Sequence, residues 1–77
     1  MDKGAIIMDR KYDIVLAAVE HGMSAQPNVI AEKLDDEFFN GIVKRGRNVQ
    51  GMLVYLKRIG KIQEIKGRYY ITELLKE

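Results

Sequence analysis

Cationic and amide side chains recur between apolar residues through the segment 44–58, KRGRNVQGMLVYLKR. Guanidinium and ammonium groups bind phosphate, and a glutamine amide can pair with the edge of an adenine base. The chemistry that these residue types offer is recognition of a polyanion. That chemistry requires the polar side chains to share one exposed surface, so the elements that carry them decide the interpretation.

Residues suited to catalysis or metal binding are scarce. The 77 residues include no cysteine, which excludes disulfides, thiolate metal ligands and cysteine nucleophiles. His21 is the single histidine, and Gly22 separates it from Ser24, the nearest hydroxyl nucleophile. No glycine-rich phosphate loop is present. We therefore expect a protein that is not an enzyme and has no metal, cofactor or small-molecule ligand.

The charged residues are segregated along the chain, although the formal net charge is only +2. Residues 44–68 contain eight cations and one acid, Glu64, whereas the remainder contains five cations and ten acids. Charge runs often form nothing more than a solvated surface. A window with a single acid nevertheless favours a functional anionic partner.

Length and composition predict one small globular domain. A hydrophobic content of 47% with 31% charged residues is typical of a soluble fold. No apolar run approaches the roughly 20 residues that span a bilayer, and the N-terminus does not resemble a signal peptide. We expect no membrane association and a cytoplasmic location (the nucleoid, or a host cell for a viral protein). Residues 1–8 are interpreted as an N-terminal extension and 9–77 as the domain.

Hydrophobic spacing predicts a first helix over 10–21. Asp9 is its expected N-cap, and Gly22 is expected to end it. His21 would then lie in the last turn, where a protonated imidazole interacts favourably with the helix dipole. The buried face of this helix is predicted from the spacing of Tyr12, Val15, Leu16 and Val19.

Two further helices follow from the same spacing. The second is predicted over 27–39, with Pro27 in its first turn. The third is predicted over 46–59, with Gly46 or Asn48 as its cap. Either the second helix is long, as predicted, or FFNGIVKRGR at 38–47 is an inserted loop before the third helix.

The C-terminal segment changes to strand-like periodicity. Two β-rich runs, 61–65 and 68–72, are separated by Lys66 and Gly67, and the glycine supplies the positive φ of a two-residue hairpin turn. The resulting register pairs Ile62 with Ile71. The final ELLKE is expected to add about one helical turn.

On a helical wheel, the third helix separates into two faces. The inward stripe is predicted to comprise Val49, Met52, Leu53, Leu56 and Ile59. The outward stripe comprises Arg47, Gln50, Gly51, Val54 and Arg58, with Lys57 at its flank. Gly51 has two interpretations, either close approach to DNA or tight packing against the second helix.

Three helices followed by a ribbon, with NVQGMLVYLKRIGKIQEIKGRYYITE running from the third helix into the hairpin, resemble the winged helix-turn-helix superfamily. Size and composition are similar to those of small archaeal or bacterial regulators and of archaeal viral ones. The resemblance implies an α+β fold, mostly α, consisting of a three-helix winged helix-turn-helix with a C-terminal two-stranded β-hairpin wing.

The resemblance also implies that the chain binds double-stranded DNA and regulates transcription. The base-reading candidates are Arg47, Gln50, Gly51 and Val54, and the backbone candidates are Lys44, Arg45, Lys57, Arg58 and Lys61. The expected wing tip comprises Lys66, Gly67 and Arg68. A homodimer is expected, with candidate surfaces at Tyr12, 5–7 and 73–75.

Two alternatives stay open from the sequence. Winged-helix modules can bind partner proteins instead of DNA, in which case the cationic segment would meet an acidic protein surface. Tyr69 and Tyr70 could stack on single-stranded bases. Paired tyrosines in a strand are more often one core residue and one rim residue, and that interpretation is favoured here.

Overall fold

The computed structural model describes residues 3–75, with side chains for residues 10–75. The described part is mostly helical, and it includes a small antiparallel sheet, so the predicted α+β class is confirmed at that level. In chain order the elements are α1 (Lys3–Ala18), β1 (Met23–Ser24), α2 (Pro27–Glu32), α3 (Asp36–Phe39), α4 (Arg45–Arg58), β2 (Ile62–Ile65), β3 (Arg68–Ile71) and α5 (Thr72–Leu75).

Helix α1 begins and ends earlier than the predicted span 10–21. Asp9 lies inside the helix, so its prediction as the N-cap is wrong. After Ala18 the chain turns through Gly22, whose φ is +85°, and the Gly22 N–H donates to the carbonyl of Tyr69 at 2.6 Å. The residues that follow the helix pair with β3, which is distant in the sequence. The spacing of apolar residues near the helix does not encode that pairing, so the early end of α1 was not predicted.

His21 lies beyond the helix, and its predicted role in the last turn is wrong. Its Nδ1 accepts a hydrogen bond from the backbone N–H of Ile71 at 2.9 Å. The imidazole also packs edge-on against Tyr70, with ring centroids 5.1 Å apart. The side chain of His21 therefore links the turn that follows α1 to β3.

The predicted second helix is two short helices, so one continuous helix over 27–39 is wrong. The carboxylate of Asp35 accepts a hydrogen bond from the N–H of Phe38 at 2.9 Å and caps a new helix, α3. Acidic residues are favourable at a helix N-terminus and unfavourable at a C-terminus. Asp36 and Glu37 therefore suit the first turn of α3 better than the end of one long helix.

The third predicted helix is confirmed to within one residue at each end, as α4. The N-cap position belongs to Lys44, without a side-chain hydrogen bond, so Gly46 and Asn48 are not the cap. Gly46 has a different role. A Cβ at this position would collide with the side chain of Asn28, so the glycine lets α4 pack closely against α2.

The sheet contains one strand more than the sequence predicts. Strand β1 pairs antiparallel with β3 and gives the order β1–β3–β2, which corrects the expectation of a two-stranded ribbon. A strand of two residues shows no measurable alternation, and Pro27 follows it closely. The local sequence therefore carries no strand signal here.

The hairpin itself is confirmed. Ile62 pairs with Ile71, as predicted. Lys66 and Gly67 form the turn with positive φ values of +52° and +74°. Positive φ at both central residues gives the turn a twist that matches the twist of the two strands. Helix α5 then adds a single turn after β3.

The core lies between helices α1 to α4 and the inner face of the hairpin. Tyr69 is 3% exposed and Tyr70 is half-buried, which confirms one core and one rim tyrosine. Burial, and then the charge of Glu64, raise the pKa of Tyr69, so its ring packs uncharged at neutral pH. The buried residues are Val15, Val19, Ile30, Ala31, Phe38, Phe39, Val49, Leu53, Leu56, Ile62 and Tyr69.

Candidate nucleic-acid interface

Helix α4 is anchored by one face. Val49, Leu53 and Leu56 are at most 2% exposed, and Met52 is half-buried against the core. Ile59 is 47% exposed, so its assignment to the inward stripe is wrong. It follows the last helical residue, where the chain turns away from the core.

The opposite side of α4 is in solvent along its whole length. We call it the outer face of α4, and all of its members are exposed: Arg47, Gln50, Gly51, Val54 and Arg58. The 14-residue helix contains no Asp or Glu. Arg47 and Arg58 lie about 16 Å apart along the axis, at a rise of about 1.5 Å per residue. The outer face thus has a guanidinium towards each end, with an amide and a small apolar side chain between them.

Gly51 lies in the middle of the outer face and packs against no other element. A Cβ built there meets no atom within 4 Å, so the alternative of tight packing against the second helix is wrong. Glycine within a helix costs up to about 1 kcal/mol relative to alanine. No contact among the described residues accounts for that cost, whereas a Cβ at Gly46 would displace the Asn28 side chain.

Arg45, which was predicted to contact the DNA backbone, interacts with α3. One of its guanidinium nitrogens lies 2.7 Å from the Asp36 carboxylate. The guanidinium also lies 4.7 Å from the centroid of the Phe39 ring. Contact between Arg45 and a phosphate would compete with both interactions.

Two further cations that were predicted to contact DNA instead connect neighbouring elements of the fold. The Lys57 ammonium lies 2.8 Å from a carboxylate oxygen of Glu64, which ties α4 to β2. The Arg68 guanidinium donates a hydrogen bond to the carbonyl of Gly22 at 2.8 Å and supports the β1 edge of the sheet. Arg68 keeps its charge uncompensated, because its acceptor is a carbonyl oxygen.

The other predicted cations form no ion pair among the side chains of residues 10–75. Lys44 precedes α4, Lys61 follows it, and Lys66 lies in the hairpin turn. We call this group the exposed cations, and it comprises Lys44, Arg47, Arg58, Lys61 and Lys66. Their charges are available to an anionic partner.

Lys66 has an unusual backbone conformation. Its φ is +52°, a region that asparagine, aspartate and glycine adopt more readily than lysine. Residues in such conformations concentrate at functional sites. Together with its exposure, this conformation distinguishes Lys66 from the other cations of the group.

Sequence interpretation missed Tyr55, which borders the outer face of α4. Its ring lies 4.4 Å from that of Tyr12 between centroids, tilted by 32°, and the residue is 40% exposed. Tyrosine hydroxyls are common donors to phosphate. On the helical wheel Tyr55 falls between the inward and outward stripes. Its surroundings depend on how α1 docks against α4, and the spacing of residues within α4 does not predict that docking.

Among the residues whose side chains the structure describes, no cluster of three or more histidine, cysteine or acidic residues has the arrangement of a metal site. None of the helices described within residues 3–75 combines the length and apolarity needed to traverse a bilayer.

The outer face of α4 and the exposed cations are therefore the features from which a function can be inferred. Comparison with known proteins adds no relative, because no family model, curated protein or solved structure matches the chain.

Proposed function

We propose that this chain is a double-stranded DNA-binding protein of the winged helix-turn-helix type that regulates transcription as a homodimer. Helix α4 enters the major groove, and the β2–β3 hairpin lies as a wing on the backbone or in the adjoining minor groove. The observation that carries the proposal is the outer face of α4, which is exposed from end to end while the helix has no acidic residue.

The dimensions of α4 support this docking. The major groove of B-DNA is about 12 Å wide and admits an α-helix. Arg47 and Arg58 are separated by about 16 Å along the helix axis. When the helix crosses the groove, each guanidinium comes within side-chain reach of one of the two bordering backbones, and the centre of the outer face meets the bases.

The side chains near the centre of the outer face suit base recognition. Arg47 can bind guanine or a phosphate, Gln50 can pair with adenine, and Val54 can contact a thymine methyl group. Gly51 adds no side chain at the centre, which allows the helix backbone to approach the base edges. This role gives a reason for a glycine that the packing of the chain does not require.

The phosphate contacts are assigned first to the cations that the fold leaves exposed. Arg58, Lys44 and Lys61 are the backbone candidates around α4, and Lys66 is the contact at the wing tip beside Gly67. The positive φ of Lys66 supports that assignment. Asparagine or glycine would form the same turn with less strain, so the lysine has a role other than forming the turn. The three cations with internal partners are secondary candidates: Arg45, Lys57 and Arg68.

A protein-binding module is the second candidate function. Val54 and Tyr55 are 44% and 40% exposed on α4, and adjacent exposed apolar side chains also suit a protein partner. On this alternative, the exposed cations would meet an acidic protein surface. The two functions differ in whether the purified chain binds nucleic acid when no partner protein is present.

Fluorescence polarisation separates these candidates. The labelled probes are a random duplex DNA, one of its single strands and an RNA duplex of the same length, measured in the same buffer. We expect the DNA duplex to bind most tightly, because only its major groove is wide enough for α4. Equal binding of all three probes, or no binding of any, contradicts the proposal, and absence of binding favours the protein-binding module.

A further inference from the structure

A groove separates α1 from the segment that includes α3, on the flank of α1 that faces away from α4. Its volume is about 540 Å³. The apolar lining comprises Ile14, Leu34 and Phe38, and Ile14 is 40% exposed. An exposed isoleucine above a partly apolar groove gives this flank a surface on which another helix could pack.

The two rims of the groove differ in charge. Arg10 and Lys11 line it on α1, whereas Lys33, Asp35 and Glu37 line it on the opposite side. Lys33 is paired with Glu20, at 3.1 Å, which leaves the acids as the unpaired charges of that rim. Asp35 already caps α3. No ion pair among the side chains of residues 10–75 includes Arg10, Lys11 or Glu37. A partner in the groove would therefore have to offer an acid opposite α1 and a base opposite α3.

We infer that this groove is the interface of a two-fold homodimer, in which α1 of each copy lies in the groove of the other. A two-fold axis near Ile14 brings Arg10 of one copy to Glu37 of the second, and the reverse contact follows by symmetry. The same patch thus supplies both the acid and the base that the groove requires. This complementarity favours a second copy over any other occupant.

The position of the groove is compatible with DNA binding. Tyr12 and Leu16 lie on the flank of α1 that meets α4, where Tyr12 stacks on Tyr55. Ile14 is about 200° from Tyr12 around the helix, at about 100° per residue. The lining of the groove includes no member of the outer face of α4.

This surface differs from those expected from the sequence. Tyr12 is occupied by its contact with Tyr55. Residues 5–7 fall outside the part of the chain whose side chains are described. The inference deepens the proposed function, which requires two copies, by naming the surface through which they assemble.

Sedimentation equilibrium without DNA tests the inference. We expect the wild-type chain to dimerise, and Arg10→Glu or Glu37→Lys to raise the dimer dissociation constant by at least about tenfold. Each substitution places like charges at two symmetry-related contacts. The double variant Arg10→Glu/Glu37→Lys restores opposite charges, so its dissociation constant should return to within about threefold of the wild-type value.

Ile14→Asp provides an independent test at the centre of the interface. Because Ile14 is exposed in the single copy, the variant should keep the far-ultraviolet circular dichroism of the folded chain and sediment as a monomer. Its melting temperature should fall only by the contribution of dimerisation. A monomeric wild type at all concentrations, a dimer insensitive to these substitutions, or a double variant that does not recover would overturn the inference. The assay contains no DNA, so a failure of duplex binding counts against the proposed function and leaves the assembly result unaffected.

Discussion

The outer face of α4 and the junction between α4 and the hairpin are adjacent, but they use their cations differently. Arg58 is exposed and forms no ion pair among residues 10–75, whereas Lys57, one position earlier, is bonded to Glu64. Arg68, on β3, is likewise held, by the carbonyl of Gly22. The comparison teaches that the nearest acceptor on a neighbouring element decides whether a cation stabilises the fold or is available to a partner.

Charge reversal on the outer face should have the largest effect. In the double variant Arg47→Glu/Arg58→Glu, two attractive phosphate contacts become repulsive, so duplex affinity should fall by at least about 100-fold at moderate salt. Fluorescence polarisation measures the loss. Circular dichroism serves as the control. Neither arginine forms an ion pair among residues 10–75, so the melting temperature should fall only by the modest cost of an acid in the last turn of α4 at position 58. Unchanged affinity would show that α4 does not face the DNA.

Neutralising the two adjacent cations sharpens the comparison. Arg58→Gln should weaken duplex binding about fivefold to tenfold, because it removes one proposed phosphate contact. It removes no ion pair among residues 10–75, so its stability should fall only by the weak helix-dipole interaction of a cation in the last turn. Lys57→Gln should do the reverse, with little change in binding and a loss of stability of at most about 1 kcal/mol for a partly exposed ion pair. The paired measurements are binding and urea denaturation. Similar behaviour of the two variants would remove the distinction between the regions.

Gly51→Ala should have the smallest effect on duplex binding, and it should raise the stability of the fold where Lys57→Gln lowers it. The position is open, so alanine should stabilise the chain by up to about 1 kcal/mol, or about 4–8 °C in melting temperature. In the groove the added methyl group should weaken duplex binding only slightly. Gly46→Ala is the matched control, since its Cβ meets Asn28 and the gain should be smaller or absent. A loss of stability in Gly51→Ala would contradict the open environment.

Local patterns in the sequence predict the elements that carry the candidate site. The extent of α4 and its outward face follow from apolar residues at helical spacing. The hairpin register follows from a two-residue turn with glycine at its second position. Each of these features depends on residues close together in the chain, and for that reason each could be predicted.

The remaining features depend on contacts between distant residues. Strand β1 forms because a two-residue segment pairs with β3, and His21 is placed by the backbone of Ile71, fifty positions away. The break before α3 is a partial exception, because Asp35 is a recognisable cap whose signal competes with a continuous apolar stripe. Whether Lys57 or Arg58 is paired depends on where β2 docks, so the charge count along the chain overstates the cations available to DNA.

The salt dependence of duplex binding tests the central claim, that the exposed cations of α4 and its surroundings meet DNA phosphates. With five exposed cations, log affinity should fall against log salt with a slope of about −4 to −5 per bound protomer. Arg58→Gln should reduce that slope by about 0.9, and Lys57→Gln should leave it unchanged. A wild-type slope near zero, or one that Arg58→Gln does not alter, would contradict the account.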